Sequence, residues 1–336
     1  MNQDKIDFVI LWVDGGDKEW QKEKEKYAPA SDGKTDASNI RYRDWGLLKY
    51  WFRSVEQNAP WVNKIYFVTN GQKPSWLNTD YEKLVHVKHS DFMPKRYLPT
   101  FNANPIELNI HRIKDLSEQF VYFNDDMFIT DYVNPTFFFK DSLPMDVAIL
   151  NPIIVDNSSV STHMVVNDIE YINKSFSKDA VIRNNMRKWF SVKYGPNILR
   201  TIMLMPFKKI PGLYFDHMPT SFTINDYQEA WGKYNSVFES TSLNKFRSRE
   251  DVNQWLIKAD RICRGRFAPR SPRFCKNMII SDDTIDDICS IISEKRKKIV
   301  CLNDCEYENI ETFNRLRTRL DSIFMEKYPN KSLYEK

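Results

Sequence analysis

The sequence predicts a doubly wound, largely parallel α/β sheet with helical C-terminal additions. Apolar runs rich in β-branched and aromatic residues recur at 7–13 (DFVILWV), 64–70 (KIYFVTN) and 119–125 (QFVYFND), too continuous for strands that turn one face to water. Helical patterns lie between them, and strand–helix–strand alternation makes consecutive strands parallel. Each run ends on polar residues, as strands do when their carboxyl ends line a ligand cleft. At 336 residues and 42% hydrophobic, the chain can build one large or two ordinary domains around a substantial core.

The first strand delivers Asp14 at its end, followed by Gly15 and Gly16, whose missing Cβ atoms let a ligand approach the backbone. An ordinary β-turn explains the same residues. Leu48, Trp51, Phe52 and Val55 then fall at i, i+3, i+4 and i+7, an amphipathic helix ended by Pro60. A short strand follows at 84–89, decorated by His86 and His89. The helical pattern at 106–119 puts Glu107 and His111 on one face at i, i+4, with Arg112 beside them; as a reversed and incomplete HExxH, it does not make a zinc protease.

The third strand ends on Asp125 and Asp126. Adjacent carboxylates repel unless a cation sits between them or one is protonated. Mg²⁺ or Mn²⁺, which take hard oxygen ligands, would relieve the pair, and a helix cap by Asn124 or Asp125 is the alternative. No GxGxxG or GxxxxGK[ST] follows any strand, so the dinucleotide and P-loop classes are excluded and bound phosphate needs metal or arginine.

Beyond residue 150 the pattern predicts strands in NPTFFFKD and VAILNP, helices at 224–234 and 248–260, and a basic, proline-interrupted loop at 261–277. A last helix at 306–326 carries Ile310, Phe313, Leu316, Leu320 and Phe324 at helical spacing. His217 stands in a loop beside Asp216, as a base or a structural histidine. Nothing local separates Arg247 from Arg249. There is no repeat or low-complexity linker.

Lys+Arg number 49 and Asp+Glu 45, a balance that excludes a counterion-release binder of nucleic acid. The N-terminal apolar run is broken by Asp7 and stopped by Asp14, which fits neither a secretory signal nor a membrane span, so a cytoplasmic protein is expected. Five cysteines in the last quarter without a CxxC pair predict reduced, mostly buried thiols. The basic stretches at 261–277 and SEKRKK suggest contact with anionic lipid or a phosphorylated glycan, through Arg264, Arg266 and Arg270.

Set side by side, these segments resemble the Stealth family of sugar-phosphate transferases, which includes bacterial capsular polysaccharide phosphotransferases and the animal GlcNAc-1-phosphotransferase α/β subunit. DFVILWVDGGDKEW is similar to the family's first block. RYRDWGLLKYWFRSVEQNAPWVNKIYFVTNGQKPSWLN with LPTFNANPIELNIHRIKDLSEQFVYFNDDMFI is similar to the second, DHMPTSFTINDYQEAW through NKFRSRED to the third, and KKIVCLNDC to the fourth.

The resemblance implies a Rossmann-like fold of the nucleotide-sugar transferase type, in which 1–336 form one catalytic domain: 1–150 the nucleotide-sugar core and 151–336 the acceptor side. It implies catalytic roles for Glu107, Asp126, His217 and Arg247, with Mg²⁺ or Mn²⁺ on Asp125 and Asp126. Substrate contacts are expected from Asp14, Gly15, Arg41, Arg43, Asn70, Gly71, Asn102, His111, Arg112, Asn124, Asn303 and Asp304. The implied reaction moves hexose 1-phosphate from a UDP-sugar to a hydroxyl of a lipid-linked or growing polysaccharide and releases UMP. A metal-dependent glycosyltransferase releasing UDP is the nearest alternative, and a non-catalytic glycan-binding module is one of another class.

Overall fold

A computed structural model describes residues 5–28, 35–155 and 160–336. Its central sheet contains β1 (Ile6–Leu11), β2 (Ile65–Thr69), β3 (Leu84–Lys88) and β4 (Gln119–Asn124), parallel in the order β3-β2-β1-β4. After β4 the chain forms β5 (Met127–Ile129), and β6 (Thr220–Thr223) closes the central sheet antiparallel to β4. A second sheet joins β5 to β7 (Cys275–Ile279) and β8 (Ile299–Asn303), in the order β7-β8-β5.

The continuous apolar runs have a simple cause. Phe8 and Ile10 of β1 enter one core cluster and Val9 the other, so both faces of the strand are covered. The helix predicted after β1 is α1 (Leu48–Asn58), with Leu48, Trp51, Phe52 and Val55 at most 5% exposed. Strand order reverses between β1 and β4, because β2 and β3 step away on one side of β1 and β4 returns on the other. The carboxyl ends of those two strands therefore flank the crevice.

Several local expectations shift. The helix expected at 106–119 is α2 (Ala103–Asn109), which tightens into a 3₁₀ turn through Arg112 and ends before Asp115, whose φ is +62°. VAILNP is no strand: only Leu150 bridges to Leu213, and the strand there is Leu143–Asp146. NPTFFFKD forms a 3₁₀ turn at Pro135–Phe137 and a two-residue strand, Phe139–Lys140.

Helix α3 (Val160–Ser175) precedes α4 (Ile224–Leu243), which extends well beyond 234. Helix α5 (Gln254–Cys263) starts later than expected because Asn253 caps it, while Asp251 accepts from the Ser248 amide in the preceding turn. Part of the expected loop at 261–277 thus belongs to α5 and β7. The last helix, α6 (Ile310–Lys327), buries Phe313, Leu316, Leu320 and Phe324 but leaves Ile310 exposed. The five cysteines are free thiols. Among the described residues, no helix is long and apolar enough to cross a membrane.

Candidate active site

The crevice at the reversal point is a cleft of about 800 Å³. Glu107, Asp126, His217 and Arg247 all line it, from four separate stretches of chain. Asn102 caps α2 by accepting from the Asn104 amide, and α2 brings Glu107 in from one side. The β4–β5 turn supplies Asp125 and Asp126, braced where the Leu302 amide donates to the Asp126 carbonyl. Arg247 sits in a two-residue strand paired with Asp36.

Tyr122, on β4, connects these groups. Its hydroxyl lies 2.9 Å from Glu107 Oε1 and also hydrogen-bonds Asn124 Oδ1. Asn124 Nδ2 in turn lies 2.8 Å from His217 Nε2. The Tyr122 hydroxyl is placed to donate to Glu107 Oε1 or to Asn124 Oδ1 and has one hydrogen for the two, so both contacts are filled only when Glu107 carries a proton and donates to Tyr122. Burial raises the Glu107 pKa, toward the protonated form, while the Arg247 charge, the hydrogen bond from Tyr122 and the His217 charge oppose that shift. Sequence reading missed Tyr122, which looks like one more core aromatic. Its signal is a polar tip at a fully buried strand position.

Asp216 does not orient its neighbour His217. Its carboxylate accepts from Lys258 at 2.9 Å and faces Arg270. The adjacent His217 is held by Asn124.

The acidic side of the cleft is under electrostatic tension. Asp125 is pushed up to about 8 by burial, then by the charges of Asp126 and Asp44. Burial also raises Asp126, opposed by His217 and by the Cys301 thiol, and raises Asp44 and Asp304. Among the described residues, Asp126 Oδ1 and Asp304 Oδ2 are buried without a hydrogen-bond partner. Ligand-capable atoms of Asp126, His217 and Cys301 all lie within 4.8 Å of one another. Oxygen donors that are buried, unpartnered and mutually repelling suit a cation, so the residues present fit a divalent metal.

The other expected residues divide by position. Arg41, Arg43, Asn70, Asn102, Asn124, Asp125, Asn303 and Asp304 line the cleft. Arg41 holds Asp36 at 2.7 Å and Arg43 faces Asp304 at 3.4 Å. Asn102, 1% exposed, spends its side chain on the α2 cap and Asp251.

Asp14 and Gly15 belong to an adjoining cleft of about 670 Å³, which shares Trp20, Tyr42, Arg43 and Asp44 with the first. Asp14 Oδ1 accepts from the Gly16 amide, closing a turn. A Cβ on Gly15 would lie 1.9 Å from the Tyr42 carbonyl oxygen, so backbone packing rather than ligand approach requires this glycine. Gly71 turns the chain after β2 at φ +119°, away from the cleft lining.

His111 and Arg112 also lie outside the cleft. His111 packs on Tyr227 and Trp231 and is pushed down to about 3 by burial, while Arg112 stacks on Trp231 and donates to Asn109.

Residues 4–32 match the conserved region described as Stealth protein CR1, and residues 41–146 that described as Stealth protein CR2. A capsular polysaccharide phosphotransferase, WcwK, of Streptococcus pneumoniae is 43% identical over 336 residues, covering 100% of this chain and 99% of the relative. The chain belongs to the Stealth family. Another full-length relative of this Stealth protein is the exopolysaccharide phosphotransferase cps2G of Lactiplantibacillus plantarum, 38% identical over 98% of this chain and 96% of the relative. Among solved structures, the galactosyltransferase LgtC in complex with donor and acceptor sugar analogues aligns over 94% of this chain and 95% of that one, at 10% identity and a TM-score of 0.38.

Proposed function

We propose that this Stealth protein, a transferase, moves hexose 1-phosphate from a UDP-sugar to a hydroxyl of a lipid-linked or growing cell-surface polysaccharide. The acceptor oxygen bonds to the phosphorus that carries the sugar, the bond from that phosphorus to the UMP oxygen breaks, and the product is a phosphodiester. The observation that carries this reading is the meeting of Glu107, Asp126, His217 and Arg247 in one cleft at the sheet reversal, in a chain 43% identical to a capsular polysaccharide phosphotransferase.

Phosphoryl transfer needs charge neutralisation, in-line placement and an acceptor for the hydroxyl proton. Asp126, with Asp125, would hold Mg²⁺ or Mn²⁺ through carboxylate oxygens, the hard donors both ions take. When bound, the metal supplies charge neutralisation on the diphosphate. Arg247 binds phosphoryl oxygens, His217 takes the acceptor proton, and neutral Glu107 orients His217 through Tyr122 and Asn124. Residues 1–150 bear the donor side and 151–336 the acceptor side, in a protein placed in the cytoplasm against the inner leaflet.

The test is the leaving nucleotide. Incubation with a panel of UDP-sugars, metal and acceptor glycan should release UMP and give a phosphodiester resonance by ³¹P NMR. Release of UDP with an ordinary glycosidic product would replace this reading by glycosyl transfer, and binding of glycan without turnover would leave a lectin-like module.

A further inference from the structure

The arginines that sequence reading assigned to a lipid surface are committed elsewhere. Arg264 and Arg266 both bind Glu229 at 2.5 Å, Arg264 also binds Asp260, and Arg270 is 5% exposed and faces Asp216. Their charge is neutralised within the fold, which corrects that expectation.

A different surface has the complementary properties. Between Asp179 and Asp216 the chain carries seven lysines and arginines and no aspartate or glutamate. Part of this segment is a 3₁₀ turn, Val192–Asn197, running directly into a short helix, Ile198–Met203. Its inner side is anchored: the Tyr194 hydroxyl accepts from the Ala148 amide, Thr201 Oγ1 accepts from the Leu150 amide, and Lys178 donates to the carbonyls of Met205 and Phe207.

The outer side is bare. Leu199, Ile202 and Met203 fall at i, i+3 and i+4, one face of the helix, and are 60%, 50% and 76% exposed. Val192 at 88% and Phe207 at 56% extend the patch. The basic residues among them are also exposed, and among the described residues Lys193, Arg200 and Lys209 reach only uncharged oxygens, those of Pro269, Asn151 and Asn173.

We propose that the apolar and basic surface formed by Val192, Leu199, Ile202, Met203 and Phe207 with Lys193, Lys208 and Lys209 seats this protein on an anionic lipid bilayer. A bilayer surface is flat and negatively charged, and it takes aliphatic and aromatic side chains into the headgroup–acyl boundary while its lipids pair with the flanking lysines. A second copy docking face to face would set this positive charge against itself. Nucleic acid would satisfy the lysines and leave the aliphatic side chains without a partner. The proposal concerns attachment alone and stands or falls separately from the reaction.

Flotation of the full chain with vesicles tests it. The protein should partition onto mixed phosphatidylglycerol and phosphatidylcholine vesicles and not onto phosphatidylcholine alone. Lys208→Glu with Lys209→Glu should lower partitioning at least roughly tenfold, since each basic residue near an anionic surface is worth about a fivefold factor. Leu199→Ser with Met203→Ser should lower it at low and high salt alike, and Arg264→Glu with Arg266→Glu should leave it unchanged.

Turnover on a soluble acceptor, or the circular dichroism spectrum if none is turned over, shows that each variant is folded. The proposal is overturned if the wild-type chain ignores anionic vesicles, or if either folded patch variant partitions like the wild type. It is equally overturned if the patch variants instead dissociate a wild-type dimer seen by sedimentation.

Discussion

Two buried charge clusters lie on either side of His217, and they are built to opposite rules. In the first, Asp146, Asp216 and Asp226 face Lys258, Arg261 and Arg270: Lys258 binds Asp216 at 2.9 Å and Asp146 at 3.3 Å, and Arg261 binds Asp146 at 2.5 Å and Asp226 at 3.2 Å. In the second, Asp44, Asp125, Asp126 and Asp304 share the cleft, with Arg43 on Asp304 and His217 beside Asp126. The first cluster gives every carboxylate a cationic partner within the protein, although Arg261 Nε and Arg270 Nε and Nη1 make no hydrogen bond among the described residues, and it fixes the loop that carries His217. The second leaves carboxylate oxygens without partners and pushes its pKa values up. A folded chain tolerates such an imbalance where a ligand completes it, so the contrast separates scaffold from working site better than burial does.

The sharpest way to break the comparison is to remove the carboxylate with most to do. Asp126→Ala should lower turnover by at least on the order of 10⁴-fold, the upper end for loss of a general base, because in the proposed mechanism a metal on Asp126 would serve both binding and charge neutralisation. His217→Ala should cost no more than this, on the order of 10²–10⁴-fold. Chelation should reproduce the Asp126 loss in the wild type. Turnover near wild type in Asp126→Asn at saturating Mg²⁺ or Mn²⁺ would remove the metal role.

The balanced cluster should respond in stability instead. Arg261 is 1% exposed, and replacing it with alanine strands Asp146 and Asp226. The expected loss is roughly 3–5 kcal/mol of unfolding free energy, measured by denaturant titration. Asp125→Asn should do the reverse in metal-free protein, raising the melting temperature while lowering activity, as when a destabilised active site is relieved. If Arg261→Ala leaves stability intact, the two clusters do not differ as described.

What was legible beforehand follows the same division. Strands β1, β2 and β4 were readable because burial on both faces makes an unbroken apolar run, and the helix at Leu48–Asn58 because one face alternates at helical spacing. The sheet of β5, β7 and β8 was hidden: β5 has three residues, and β7 is mostly half-exposed, so neither shows a strong period.

Helical spacing also misled at His111. The helix ends at Asn109 and tightens, which turns the histidine onto Tyr227 and Trp231. The basic loop looked free because its partners are remote in sequence, Arg261 reaching Asp146 across 115 residues and Arg266 reaching Glu229 across 37. The acidic pair after β4 was legible because its defining property, two adjacent charges at the end of a buried strand, is local.

A pH titration of stability should also separate the clusters, with a smaller effect. Burial opposes ionisation of Asp216, but Lys258 and Arg270 hold it below the usual carboxylate value, so its contribution is present above 3.8 and lost as pH falls through the lower folded value. Burial likewise opposes the charge on Lys258, yet Asp146 and Asp216 raise its pKa above 10.5, so its contribution persists below that and fades at higher pH. Between these limits the contributions of Asp216 and Lys258 are flat. Asp125, raised to about 8, keeps a proton that the unfolded chain has released, so metal-free stability should fall from about pH 4 to about pH 8 and then level. Asp125→Asn should flatten this slope. A slope that survives the substitution assigns it to other groups.

The smallest expected effect tests the bridge between Glu107 and His217. Tyr122→Phe keeps the ring and its packing but removes the hydroxyl between Glu107 and Asn124. Losing one such hydrogen bond, worth about 0.5–1.5 kcal/mol, should lower kcat roughly three- to tenfold. KM for the donor should hold if, as proposed, Tyr122 orients the base and does not bind the nucleotide. A purely structural role would lower stability and leave the pH profile of kcat in place. An orienting role moves that profile, because Glu107 loses the partner through which its protonation reaches His217. Glu107→Gln preserves a donor toward Tyr122 and should flatten the limb that titrates Glu107 while retaining more activity than Glu107→Ala. If Tyr122→Phe changes stability alone, His217 is oriented without help from Glu107, and the cleft works as separate parts.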